Sequence, residues 1–267
     1  MSVAKRYPEV WRRRTLGESV VGWCWVAGLA LATAWSISAL DIEWAFFADA
    51  HEQAADLARR MWPPRWAYLP KIMAPLLETI HIATLGTAIG LVLSVPLAFL
   101  AARNTTLNGF TWAIGRALLV ASRSVNTVIW GLVFVAIFGP GALAGVAAVA
   151  ARSVGFLAKL IAEAIEEADA GTIEAVEATG AATSQVYLVG VLPQVMPVVL
   201  GTTVYRWDIN IRESSVLGFV GAGGIGLQLY ASINQFAWQQ VLVVLLAILL
   251  IVLAAEALSA WIRGRIT

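Results

Sequence analysis

Seven polar or ionisable side chains crowd into a stretch otherwise apolar enough to cross a bilayer: Arg206, Asp208, Asn210, Arg212, Glu213, Ser214 and Ser215. A charge held in hydrocarbon costs roughly 2.5–3.5 kcal/mol on insertion scales, so each needs a partner or water. Helical spacing supplies partners. Asp208 and Arg212 stand i, i+4 with the acid first, the favourable order for an ion pair, and Ser215 extends their stripe. Arg206, Asn210 and Glu213 stand at i, i+4, i+7 on roughly the opposite face. A guanidinium is a planar fork that pairs bidentately with two oxygens of an oxyanion. Two uses fit: an aqueous route for an anion between two copies of the chain, or internal salt bridges that hold helices together. One stripe can seal against a neighbour while the other lines a pathway, and spacing alone does not assign them. Arg152, with Arg116 and Arg123, extends the candidate set.

A second chemical signature is the run GFVGAGGIG, with Gly218, Gly221, Gly223, Gly224 and Gly226. Gly221, Gly223 and Gly226 spell G-x-G-x-x-G, the dinucleotide-binding turn. That turn needs a strand before it and a helix after it within a βαβ unit. Here it lies between two apolar runs, so dinucleotide binding is not expected. Glycine also serves tight turns and close helix contact, which leaves a gating role or a purely structural one. Other chemistries lack their residues. There is no Ser/His/Asp set, no H-E-x-x-H and no P-loop. His51 and His81 are too few for most zinc catalysis, and Cys24 is the sole cysteine.

The elements that must hold these residues are membrane spans. Of 267 residues, 60% are hydrophobic and 13% charged, half the usual charge of a soluble domain. Mean hydropathy is +0.77, and twelve Trp suit membrane interfaces. A net charge of +1 gives no reason to expect nucleic acid. The apolar runs predict six spans: Val20–Leu40, Leu76–Ala102, a third with its core at Ser124–Phe138, Ala142 to about Ile165, Val195–Leu217 and Val241–Leu258. The first run has no evident cleavage site and follows Lys5, Arg6, Arg12, Arg13 and Arg14, which places the N-terminus, and hence both termini, in the cytoplasm. The segment HEQAADLARRMWPPRW reads as an outer surface helix stopped at Pro63 and Pro64. Lys159 and Glu163 read as a structural i, i+4 pair, and Glu78 with His81 as a polar helix contact.

The cytoplasmic stretch EAVEATGAATSQVYLVGVLP, Glu174 to Pro193, reads as two short helices broken at Gly180. It resembles the EAA motif of ABC importer permeases, E-A-A-x-x-x-G-x9-I-x-L-P. Glu174, Ala175, Gly180, Leu192 and Pro193 match in register, while Val176 replaces the second Ala and Gly190 the Ile. Together with RESSVLGFVGAGGIGLQL and GVLPQVMP, the chain from about Glu78 onward is similar to the phosphonate and phosphite permeases of that family, and the glycine loop also to the methionine permease.

The resemblance implies an all-α, polytopic membrane protein of about six transmembrane helices with the type I ABC importer permease fold. It divides the chain into 1–75, with the first span and outer segment, and a permease core at 76–267 carrying a coupling loop at about 168–193. It implies that Glu174, Ala175, Glu177, Ala178, Gly180, Ala181, Leu192 and Pro193 dock on an ATPase subunit. A homodimer would work with two ATPase subunits and a periplasmic or lipid-anchored substrate-binding protein in the bacterial inner membrane. ATP and Mg would be bound by the ATPases, with no metal or cofactor on this chain and no enzymatic site of its own. The alternatives are a methionine or other small-solute importer and a stand-alone channel or secondary transporter.

Overall fold

The computed structural model describes residues 16–266 apart from Ile42 and Leu107, so the five basic residues of the N-terminus lie outside it. The described residues are helical, with no strand. The chain divides into two compact units, Met1–Leu57 and Ala58–Thr267.

The first unit carries α1, Leu16–Ala39, and most of α2, Ala45–Met61. No residue of α1 is buried, although Trp23, Trp25, Leu29 and Trp35 all stand on it. A helix that is apolar all round and uncovered is suited to lipid, where backbone groups are satisfied internally.

The second unit is built on α3, Leu69–Ala101, and α6, Ala142–Glu166. Small residues let their backbones meet. Gly86 and Gly90 form a G-x-x-x-G on α3, and a Cβ at either would fall within 2.7 Å of Val149 or Ser153 on α6. Around this pair lie α4, Gly109–Ser124; α5, Thr127–Phe138; α8, Leu192–Leu217; α9, Ile225–Asn234; and α10, Trp238–Ile266. One cluster packs the end of α3 near Ala101 against Ile161, Ile165, Val191 and Val195. Another packs the opposite end, where Ile72 meets Ile225, Val241 and Val244.

The third expected span is not a straight crossing. Ser124 ends α4 rather than starting the next helix, and α4 and α5 are bent by 92° at the break. Val125 and Asn126 are extended, and the Asn126 side chain accepts from the Val128 N–H to cap α5. With 12 residues, α5 is shorter than the ~20 that a full crossing needs. Among the described residues, five helices are therefore long and apolar enough to span, or six if the bent pair counts as one. The second span begins earlier than its apolar run suggested, since α3 starts at Leu69 with Pro70 in its first turn, where a missing N–H costs nothing. The polar segment expected on the outer side is helical from Ala45 and stops at Met61, ahead of Pro63 and Pro64.

Candidate functional site: a charged helix, a glycine turn and a polar loop

The two stripes of α8 go to different neighbours. Arg206 is 2% exposed, although it is charged. Its Nε donates to Ser153 Oγ at 3.2 Å, and its Nη2 pairs with Glu213 Oε2 at 3.1 Å. Its guanidinium also lies over Phe156, 5.3 Å from the ring centre. Asn210 donates to Thr87 Oγ1 at 2.7 Å and to Ser153 Oγ at 2.9 Å. Glu213 further accepts from the Thr127 hydroxyl at the start of α5, and Arg152 Nε stands 3.7 Å from its other oxygen. Two guanidiniums thus face one carboxylate, and the cluster carries a positive excess.

Arg152 has a second task. Its Nη1 donates to the carbonyls of Val125, at 2.6 Å, and Arg123, at 3.2 Å. These are the end carbonyls of α4, where a cation is favoured by the helix dipole. Arg152 therefore ties the bend to α6 and, through Glu213, to α8. Its side chain remains 27% exposed. Arg123 enters this cluster by its carbonyl while its side chain is exposed. Arg116 stands elsewhere, in the middle of α4, pairing with Glu166 at 2.9 Å and donating to the Ala101 carbonyl at 3.2 Å.

The second stripe faces α10. Asp208 Oδ2 pairs with Arg212 at 2.8 Å, and Arg212 reaches Glu256 at 3.4 Å. Here two carboxylates face one guanidinium. The side chains of Arg212 and Glu256 are 46% and 60% exposed. Ser215 bonds its own helix at the Ile211 carbonyl, and Ser214 is buried beside it. Lys159 and Glu163 pair at 3.3 Å. Glu78 does not join His81, which is exposed; its carboxylate faces the glycine turn.

That turn is built from close approaches. Gly218 packs on α9 so tightly that a Cβ would lie 2.2 Å from the Leu227 nitrogen. Gly223 has φ +81, and its Cβ would meet Glu78 Oε1 at 2.7 Å. Only glycine satisfies both the left-handed backbone and this contact. The Ile225 N–H donates to Thr79 Oγ1 at 2.8 Å, and the Gly141 N–H to the Gly221 carbonyl at 2.9 Å. The turn is thereby fastened to α3 and to the α5–α6 turn. No strand precedes it, so the dinucleotide setting is missing.

At the other end of the unit, α7, Ala170–Glu177, projects between α6 and α8. Asp169 caps it through the Thr172 N–H at 2.8 Å and hydroxyl at 2.7 Å, and these bonds hold the Asp169 carboxyl below its ordinary value. Gly180 turns the chain with φ +76. The helix resumes at Thr183 and runs through a π-turn, Val186–Val191, straight into α8 with Pro193 in its first turn. Glu174, Ala175, Glu177 and Ala178 are exposed along α7, while Ala181 and Leu192 are half-buried and Pro193 is exposed. Ile173 and Val176 face inward onto Gly190, whose Cβ would be 3.6 Å from Ile173 Cα and 3.7 Å from Val176 Cγ2. The two departures from the motif therefore touch: a larger residue at 176 fills the space that a smaller one at 190 vacates.

The sequence missed Ser153, Thr87, Thr127 and Glu256, which complete the two clusters. Their signal is a small hydroxyl or a lone carboxylate inside an apolar helix, a residue that has to find a partner there.

Residues 94–267 match the family of binding-protein-dependent transport system inner membrane components. The chain is 40% identical over 250 residues to a phosphite transport system permease protein of Stutzerimonas stutzeri, covering 94% of this chain and 89% of that protein. It is 41% identical over 208 residues to a phosphate-import permease protein of Mycolicibacterium smegmatis, covering 78% of this chain and 39% of that one. Its fold matches a chain of the inward-facing MetNI methionine ABC transporter with a TM-score of 0.64 and 21% identity, over 73% of this chain and 96% of that chain. Charged spans, glycine turn and projecting loop thus sit on a known architecture, and the chain belongs to the binding-protein-dependent transport system inner membrane components, as a multi-pass permease with the fold of ABC importers.

Proposed function

We propose that this permease carries phosphite, phosphonate or a related phosphorus oxyanion across the bacterial inner membrane by alternating access. The observation that carries the substrate class is the charge imbalance at Arg152, Arg206 and Glu213. A pathway for an anion needs a positive excess at a partly wetted position, and Arg152 is the half-buried one of the two guanidiniums. The Asp208–Arg212–Glu256 group has the opposite excess and suits an anion less. Similarity to phosphite and phosphate permeases supports the same class, while the likeness to the methionine transporter is one of fold.

In this reading the chain acts as a homodimer. Two ATPase subunits hold ATP and Mg, and a substrate-binding protein delivers the solute at the outer face. The exposed side of α7, with Gly180, Leu192 and Pro193 behind it, docks on the ATPase. Both termini are cytoplasmic, and this chain hydrolyses nothing itself. The glycine turn, pinned to α3 and to the α5–α6 turn, acts as part of the outer gate.

The test is ATP hydrolysis by the reconstituted permease, ATPase and binding protein. The panel holds methylphosphonate, 2-aminoethylphosphonate, phosphite, phosphate and methionine. Stimulation by a phosphorus oxyanion is expected, and stimulation by methionine alone would overturn the substrate class. Gly180→Arg, in a chain still folded and inserted, should abolish stimulation, whereas full transport by that variant would refute the docking role.

A further inference from the structure

Two cavities lie near one another towards the end of the second unit remote from α7. The first, of about 240 Å³, is lined by Arg60, Arg65, Phe236, Trp238, Gln239 and Gln240. Its wall carries the guanidiniums of Arg60 and Arg65 and the amides of Gln239 and Gln240. Phe236 is 75% exposed, with φ +52, and its ring meets Trp238 edge-on at 6.2 Å. The Arg65 N–H donates to the Gln239 carbonyl at 3.3 Å, which joins the two walls. The second is an apolar groove of about 470 Å³ between α3 and α10, lined by Trp66, Leu69, Met73, Val243, Leu246 and Leu250 among others. Their walls are neighbours along the chain, with no residue in common: Arg65 is followed by Trp66, and Gln239 lies one turn from Val243.

A basic pocket rimmed by aromatic rings and flanked by an apolar groove has the polarity of one amphiphile. We infer that this is a phospholipid site, in which an anionic headgroup pairs with Arg60 and Arg65 and an acyl chain lies between α3 and α10. The chemistry supports each half. A guanidinium fork pairs with phosphate oxygens, and the glutamines offer further donors. Tryptophan prefers the headgroup level, where Trp66 and exposed Trp62 stand. The groove wall is almost wholly apolar, as an acyl chain requires. A free oxyanion could enter the basic pocket but would leave the groove empty, so the neighbouring groove selects the lipid.

The test is native mass spectrometry of the full-length permease released from nanodiscs of phosphatidylglycerol or phosphatidylcholine. Wild type should retain phosphatidylglycerol about tenfold more than phosphatidylcholine, because both carry the phosphate but the choline ammonium of the second cancels its charge and is repelled by the guanidiniums. Arg60→Gln/Arg65→Gln should remove that preference, Arg65→Lys should keep part of it, and Leu250→Trp should lower retention of both lipids. Equal retention of the two lipids by wild type would overturn the inference. So would displacement of phosphatidylglycerol by millimolar inorganic phosphate or methylphosphonate, which would assign the pocket to a free oxyanion. Retention unchanged by Leu250→Trp would leave the groove to a helix of a second copy and would equally overturn it. If the double variant fails to insert, the wild-type lipid comparison and the phosphate competition still decide.

Discussion

Restoring the two atypical positions of the docking loop one at a time should damage the protein more than restoring both. In Gly190→Ile, the new Cβ already touches Ile173 Cα and Val176 Cγ2 at 3.6 and 3.7 Å. Each further carbon has to enter the volume that Val176 occupies. Overpacking of this kind costs about 1–3 kcal/mol. Val176→Ala alone removes two methyl groups from a half-buried site, a loss of about 1 kcal/mol. Independent effects would add to about 2–4 kcal/mol in the double variant. Because the sites share one volume, the Ile side chain should instead fill the space Val176 leaves, recovering about 1–2 kcal/mol. Gly190→Ala is the control: its Cβ makes ordinary contact, and alanine is the better helix former, so it should be neutral or slightly stabilising. The measurement is thermal unfolding of the purified permease for all four members of the cycle, with ligand-stimulated ATP hydrolysis of the assembled complex as the functional readout. Additive losses would refute the packing argument, since they would mean that 176 and 190 do not compete for space.

Glu213→Gln should leave Arg206 buried without its carboxylate and destabilise the chain by about 3–5 kcal/mol; Arg206→Met/Glu213→Gln should recover much of this, and equal Tm values for the two variants would count against a buried pair. Gly223→Ala should impair folding or stimulated hydrolysis, and adding Glu78→Ala should relieve only the side-chain clash, because φ +81 persists; full rescue would show that the backbone is not strained. The Asp169 carboxyl is held low by Thr172, so its contribution to α7 is present above the ordinary carboxylate pKa and is lost as the pH falls through the lowered one. Asp169→Asn should flatten the acid limb of α7 protection in hydrogen exchange, and an unchanged limb would assign that limb to another group.

Much of this site was legible because it lies along single helices. The Asp208–Arg212 and Lys159–Glu163 pairs follow from a four-residue spacing alone. So does the turn at Gly180, where a glycine ends a short helical run. The partners across helices were not legible. Ser153 meets Arg206 and Asn210 only because Gly86 and Gly90 set how closely α6 approaches α3, and no pattern within α8 encodes that register. The break of the third span escaped for a different reason. Hydropathy counts apolar residues but carries no direction, so a 92° change at Val125 and Asn126 leaves the count unaltered. The usable clue was Asn126 itself, a preferred N-cap residue followed by an apolar run.

The continuity of the π-turn with α8 has a mechanical consequence. No break separates Val186–Val191 from Leu192, so the part of the loop that follows Gly180 and the charged span form one continuous arm. At 26 residues the arm is about 39 Å long, and a tilt of about 5° at its loop end displaces its far end by about 3 Å. That displacement is the width of a hydrogen bond. The far end carries Glu213, joined to Arg152, and Gly218, wedged against α9. A rotation too small to alter the fold would thus break the Glu213 linkage and shift the glycine turn in one stroke.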